Sequence, residues 1–157
     1  MLRDSLLTLH IFAVIVWMGC GVYERFLQIE VGRVRGTPAE VALLKVYARY
    51  AWVVIFATVM VAVIGGLMSW LLGWGFFNPG HPWLSIKQGI MLAILLDMAY
   101  LAPALIRNAR SIAALTGESD KRLPAIHRTL TRIEWHVVPM RSGATAAVIL
   151  AVFKPLF

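Results

Sequence analysis

The chain has a single cysteine, Cys20. One thiol excludes an intramolecular disulfide, and the absence of a Cys-x-x-Cys-His run excludes covalent c-type haem. Acidic residues are scarce, 8 against 15 Lys and Arg, giving a formal net charge of +7 and a pI near 10.2. Such a balance can mark a nucleic-acid binder, but here the basic residues sit between apolar runs, a pattern of membrane topology rather than of a nucleic-acid partner. No Ala-x-Ala site follows the first apolar run, which is also long for a signal-peptide core, so no cleavable signal is expected. No internal repeat occurs beyond a shared hairpin plan. The connections between apolar runs are too short to house a soluble catalytic domain. Met60, Met68, Met91, Met98 and Met140 form no Met-x-x-x-Met cluster, which argues against copper uptake and favours core packing.

What is abundant is apolar surface. Hydrophobic residues make up 60% of the 157 residues and the mean hydropathy is +0.76, against an apolar share of ~45–50% in soluble domains. The fold expected is all-α: an integral membrane four-helix bundle in one domain, with spans at about 4–27, 50–76, 83–106 and 132–153. The fourth is the least apolar, because it carries His136 and Arg141. The Asn78-Pro79-Gly80-His81-Pro82 cluster reads as the turn between the second and third spans.

Basic residues set the orientation. Arg25, Arg33, Arg35, Lys45 and Arg49 follow the first span, and Arg107, Arg110, Lys121, Arg122, Arg128 and Arg132 follow the third. The connection after the second span has none. Both termini are therefore expected outside a bacterial inner membrane and the basic connections inside. Trp70, Trp74, Phe76, Phe77 and Trp83 gather at the outer boundary, as an aromatic belt does.

Polar residues within the spans are the candidates for function, because a polar group in lipid is costly unless it binds, pairs or relays something. His10 stands in residues 5–23, a stretch without formal charge. It lies ~9 Å below the outer end of its span and Lys87 ~5 Å below the outer end of the third, at the helical rise. The alternative for His10 is a ring bonded to a neighbouring carbonyl or to interfacial water. His10, Trp17 and Glu24 repeat every seven residues along one stripe, with Gly21 beside it, where a flat ligand could approach the backbone. His136 enters its span from the inner side, too far in depth to share an iron with His10, so any ligand it held would form a second site. His81 falls in the outer turn, and His127 is expected to be solvated. Asp97 and Arg141 come out at nearly the same depth, ~20 Å from the outer face and ~13 Å from the inner, so an ion pair between them is expected. Gly143, Ala147 and Ala151 form a small-residue stripe suited to close helix packing.

These residues carry a resemblance. Leu9-His10-Ile11-Phe12-Ala13-Val14-Ile15-Val16-Trp17-Met18, followed by Tyr23, is similar to the opening segment of the HemJ-type protoporphyrinogen oxidase family, a group related to the membrane domain of copper-resistance D proteins. Trp83-Leu84-Ser85-Ile86-Lys87 resembles that family's Trp-Leu-x-x-Lys at the start of its third span. Val148-Ile149-Leu150-Ala151-Val152-Phe153-Lys154-Pro155-Leu156-Phe157 resembles its valine-rich closing helix and Lys-Pro-Phe ending. The resemblance implies a helical bundle that binds haem b, with the first-span histidine and third-span lysine essential; those positions fall on His10 and Lys87. There are departures: Tyr23-Glu24-Arg25 lacks the family's proline, Trp135-His136 stands where the family has Asn-Glu before Val138-Pro139, and Arg141 has no counterpart.

Two functions from different classes follow as expectations. One is an enzyme that oxidises protoporphyrinogen IX, passing electrons through haem b to quinone, with His10 as iron ligand, Trp17, Gly21 and Lys87 as further cofactor contacts, and Lys87 holding a propionate or accepting a proton. The other is a b-type cytochrome that serves as an electron-transfer or accessory subunit of a larger membrane complex. The partners expected are the lipid bilayer, a porphyrin or quinone, and either further copies of the chain or a larger complex.

Overall fold

The computed structural model describes residues 2–117 and 120–153. The chain folds into four helices, α1 (Leu2–Arg33), α2 (Pro38–Leu71), α3 (Pro82–Ala113) and α4 (Leu123–Phe153). The Lys-Pro ending in the family resemblance, residues 154–157, lies outside the described residues, as does the side chain of Ala151. α1, α2 and α3 are each long and apolar enough to cross a membrane. Their outward faces carry Phe12, Ile15, Phe26, Phe56 and Leu96 in the open. Apolar surface on that scale requires lipid or a partner.

The helices are longer than the spans read from hydropathy, and the connections correspondingly shorter. Between α1 and α2 only residues 34–37 are non-helical. The sequence reading ended the first helix near residue 27 and began the second near 50, because charge and polarity rise there. Lys45, Arg49 and Glu40 are acceptable helix residues, so the helices continue where the lipid stops. Hydropathy locates the edge of the bilayer, not the end of a helix. At ~1.5 Å per residue α1 and α2 reach ~48–51 Å, beyond the ~30 Å hydrocarbon core. Pro38 and Pro82 each occupy the first turn of their helix, where a missing N–H costs nothing.

The second helix stops earlier than expected. It ends at Leu71 rather than near residue 76, and Gly73, Gly75 and Phe77 then take positive φ, 70°, 72° and 51°. One side chain from α3 fixes this outer turn. Gln88 Oε1 accepts the Phe77 N–H at 2.7 Å, while its Nε2 donates to Ser69 Oγ and to the Gly75 carbonyl, both at 3.2 Å. Asn78 Nδ2 donates to the Trp74 carbonyl at 3.0 Å. At the other end, hydrogen bonds from Arg122 hold the Asp120 carboxyl well below the usual carboxylate range in the α3–α4 connection.

Backbones pack closely as α1 on α2, α2 on α3 and α3 on α4. Between α1 and α2 the pairing runs antiparallel down the length of both. His10 meets Gly65, Trp17 Nε1 donates to Thr58 Oγ1 at 2.8 Å, the Tyr50 hydroxyl donates to the Cys20 carbonyl at 3.1 Å, and the Tyr47 hydroxyl donates to Glu24 Oε1 at 3.2 Å. The His10–Trp17–Glu24 stripe is thus the face of α1 that packs on α2. Gly143 of the small-residue stripe faces α3, where an added Cβ would stand 3.3 Å from Ile90 Cγ2. The best-buried apolar residues, Leu44, Ile112 and Ile126, pack with Val31, Leu115 and Leu123 where the α1–α2 and α3–α4 connections meet.

Candidate functional site

α1 meets α4 through long side chains that reach across a gap. Arg141 Nη2 donates to Glu24 Oε2 at 3.0 Å, and Arg25 pairs with Glu134. Behind these bridges lies a cavity of about 540 Å³, within the ~300–1,000 Å³ usual for ligand pockets. Trp17 and Gly21 of α1, Thr58 of α2, Met98 of α3 and Met140 of α4 line it among other residues. A Cβ built on Gly21 would meet nothing within 4 Å, so the backbone is open to the cavity there.

His10 lies two helical turns toward the outer end from Trp17. Its Nδ1 is buried and has no hydrogen-bond partner. The ring packs so closely on α2 that a Cβ at Gly65 would stand 3.1 Å from Cε1. Glycine at this position therefore makes room for the imidazole. Lys87 of α3 is near enough for its charge to act on His10, and its Nζ lies 5.7 Å from the Trp83 ring centroid.

The four residues singled out for a cofactor thus fall into two places. His10 and Lys87 are neighbours at the outer end. Trp17 and Gly21 face the deeper cavity, which His10 and Lys87 do not line. The heptad stripe grouped His10 with Trp17 correctly by face, but a depth of two turns separates them.

Three readings of charged residues need correction. Arg141 does not pair with Asp97; its carboxylate is Glu24, which sequence depth placed toward the inner end of α1 and which no motif tied to α4. Asp97 instead pairs with His136 Nδ1 at 2.9 Å. Matched depth named neither partner, since Asp97 meets α4 at His136, five residues before Arg141, and Arg141 turns to α1 instead. His136 therefore has a carboxylate partner at Nδ1. His127, expected in solvent, is largely buried and bonds Glu40, itself buried, whose Oε2 also accepts the Gly36 N–H at 2.7 Å. That link ties α4 to the α1–α2 turn.

Among the described residues no three of His, Cys, Asp and Glu gather in one place to hold an ion. A haem iron sets a smaller demand, since the porphyrin supplies most of its ligands and the protein only the axial ones. On this count the donor set fits: one imidazole with an unclaimed ring nitrogen, a neighbouring cation of the type that meets a propionate, and a glycine-floored apolar cavity deeper in the fold. No protein-family model, curated protein or solved structure matches the chain.

Proposed function

We propose that the chain is a four-span bundle of a bacterial inner membrane, with both termini outside, that binds haem b through His10 and oxidises protoporphyrinogen IX to protoporphyrin IX. The observation that carries this reading is the buried His10 Nδ1 without a partner. A buried polar group is normally satisfied, and one left open in lipid is expected to serve a ligand. Neutral imidazole is a good axial donor to haem iron. Lys87 beside it supplies a cation for a propionate, or a base for a leaving proton. Trp17 and the open backbone at Gly21 supply a flat, apolar surface for a tetrapyrrole.

Bound haem b would supply an electron relay. In the overall reaction, hydrogens leave the porphyrinogen as protons and electrons in equal number. Six of each leave in all, and three quinones, each taking up two electrons and two protons, become quinols. The chain's own part is to hold a tetrapyrrole against Trp17 and Gly21, to offer Lys87 to a propionate of the haem beside His10, and to keep water from the apolar faces.

The deciding experiment is complementation of a bacterial strain lacking protoporphyrinogen oxidase, run beside absorption spectra of the purified chain. Growth together with a Soret band that shifts on dithionite reduction is the expected result. A haem spectrum without growth would reassign the chain to electron transfer as an accessory subunit. A colourless protein from haem-replete cells would overturn the haem assignment.

A further inference from the structure

A second cavity, of about 480 Å³, opens between α3 and α4 toward their inner ends. Its polar lining is distinct in kind from the first. Arg107, Asn108 and Ser111 come from α3 and Arg132 and Thr129 from α4, with Tyr100 at the membrane-side end. Arg132 Nη2 donates to the Tyr100 hydroxyl at 3.0 Å, which fixes the guanidinium at the cavity while leaving its other donors open. Neither Arg107 nor Arg132 has a carboxylate partner among the described residues. Among the described residues, the acids in this part of the fold are engaged: Asp97 with His136, Glu134 with Arg25 and Asp120 with Arg122.

The second observation is Asn108. It lines the cavity, is only 7% exposed, and its amide makes no hydrogen bond among the described residues. A largely buried amide normally finds a partner, and this one lines the same cavity as Arg107 and Arg132. The other walls, Ile126 and Ile133, are apolar and well buried.

We propose that this cavity binds a phosphate group, held by Arg107, Arg132 and the amide of Asn108. Guanidinium forks match phosphate oxygens in pairs, and an amide donor adds the fixed third point. A basic pocket between helices at the inner leaflet is suited to an anionic lipid headgroup. The apolar walls would cover the start of an acyl chain. A soluble phosphate ester offers the same oxyanion, so the test separates the two sources.

The full chain is reconstituted in phosphatidylcholine nanodiscs with and without phosphatidylglycerol, and retained lipid is read by native mass spectrometry. Selective retention of phosphatidylglycerol is expected. Arg107→Gln combined with Arg132→Gln should weaken it by on the order of 100-fold or more, because two charge-assisted contacts to the phosphate are lost. Arg110→Gln combined with Arg128→Gln removes the same charge from residues outside the cavity, so only the general surface attraction falls and the loss should be clearly smaller, at most roughly 30-fold. Equal losses in the two double variants would overturn the site, as would retention unchanged in the first. Asn108→Ala, which leaves net charge alone, should weaken retention by several-fold; no change there would also count against it. Thermal melting in pure phosphatidylcholine guards against a fold defect. Displacement of the lipid by glycerol phosphate in solution would mark a soluble ester as the ligand, and its failure to displace would mark the lipid.

Discussion

The acids buried in the inner half of the helices are paired across helices, whereas the histidine near the outer end is not. In the inner half Glu24 has Arg141 and Tyr47, Asp97 has His136, and Glu40 has His127. Near the outer end His10 sits on Gly65 with Nδ1 unclaimed. Paired charges cross-link helices and are costly to break. A buried ring nitrogen with no partner costs the fold its desolvation and is open to a ligand. The contrast teaches that intramembrane polarity alone does not single out a candidate residue, and that the lack of a protein partner adds to it.

The comparison would break first at His10. His10→Ala should abolish haem absorbance in the purified chain while changing stability by no more than about 1 kcal/mol, since no hydrogen bond of the fold is lost. Full haem occupancy in that variant would remove the outer half's claim to the cofactor. Glu24→Gln should show the reverse, a loss of about 3 kcal/mol in denaturant titrations in mild detergent, because Arg141 is left without its carboxylate. Glu24→Gln with Arg141→Gln should cost less than the sum of the two single changes. Asp97→Asn with Arg141→Gln should be additive. Coupling of Arg141 to Asp97 instead would mean that α4 is rotated from the arrangement described.

Gly65→Ala sharpens the outer half. The new Cβ would crowd the His10 ring, the movable end of a side chain, so a cost of roughly 1 kcal/mol and a shifted haem spectrum are expected. An unchanged spectrum would separate His10's packing from its ligation. The smallest effect belongs to Asp120. Its carboxyl titrates below the ordinary value in the folded chain, so its contribution is complete at neutral pH and down to about 4, and is lost as pH falls further through the lowered value. Asp120 holds only a short surface connection through Arg122 and Thr116, so Asp120→Asn should alter resistance of the α3–α4 connection to proteolysis only slightly, and only above that pH.

Much of the fold was legible in the sequence because lipid imposes a simple rule, that long apolar runs become helices. Four helices, the 78–82 turn and the relative weakness of the fourth apolar run all follow from it. Helix ends did not, because Lys45 and Arg49 leave the lipid without leaving the helix. The neighbourhood of His10 and Lys87 was reached from depth alone. Arg141's partner was not, because depth orders residues along the membrane normal and is silent about rotation round a helix axis. Thr58 and Gly65 carried no signal at all; each matters only because of what α1 presents opposite it. The alternation of seven from His10 to Trp17 to Glu24 would have found them, had it been extended to the facing helix in antiparallel register.

Gln88 gives the outer turn a further consequence. A single amide holds Ser69, Gly75 and Phe77 together, so the stretch from Gly73 to Gly80 is an anchored turn rather than spare chain. Proteases nick exposed chain whose backbone is free of hydrogen bonds, and an anchored turn resists them. On the orientation proposed above, which puts this turn outside, shaving intact cells should therefore leave it uncut, and an epitope tag threaded into it would dislodge Gln88 before it reported on anything.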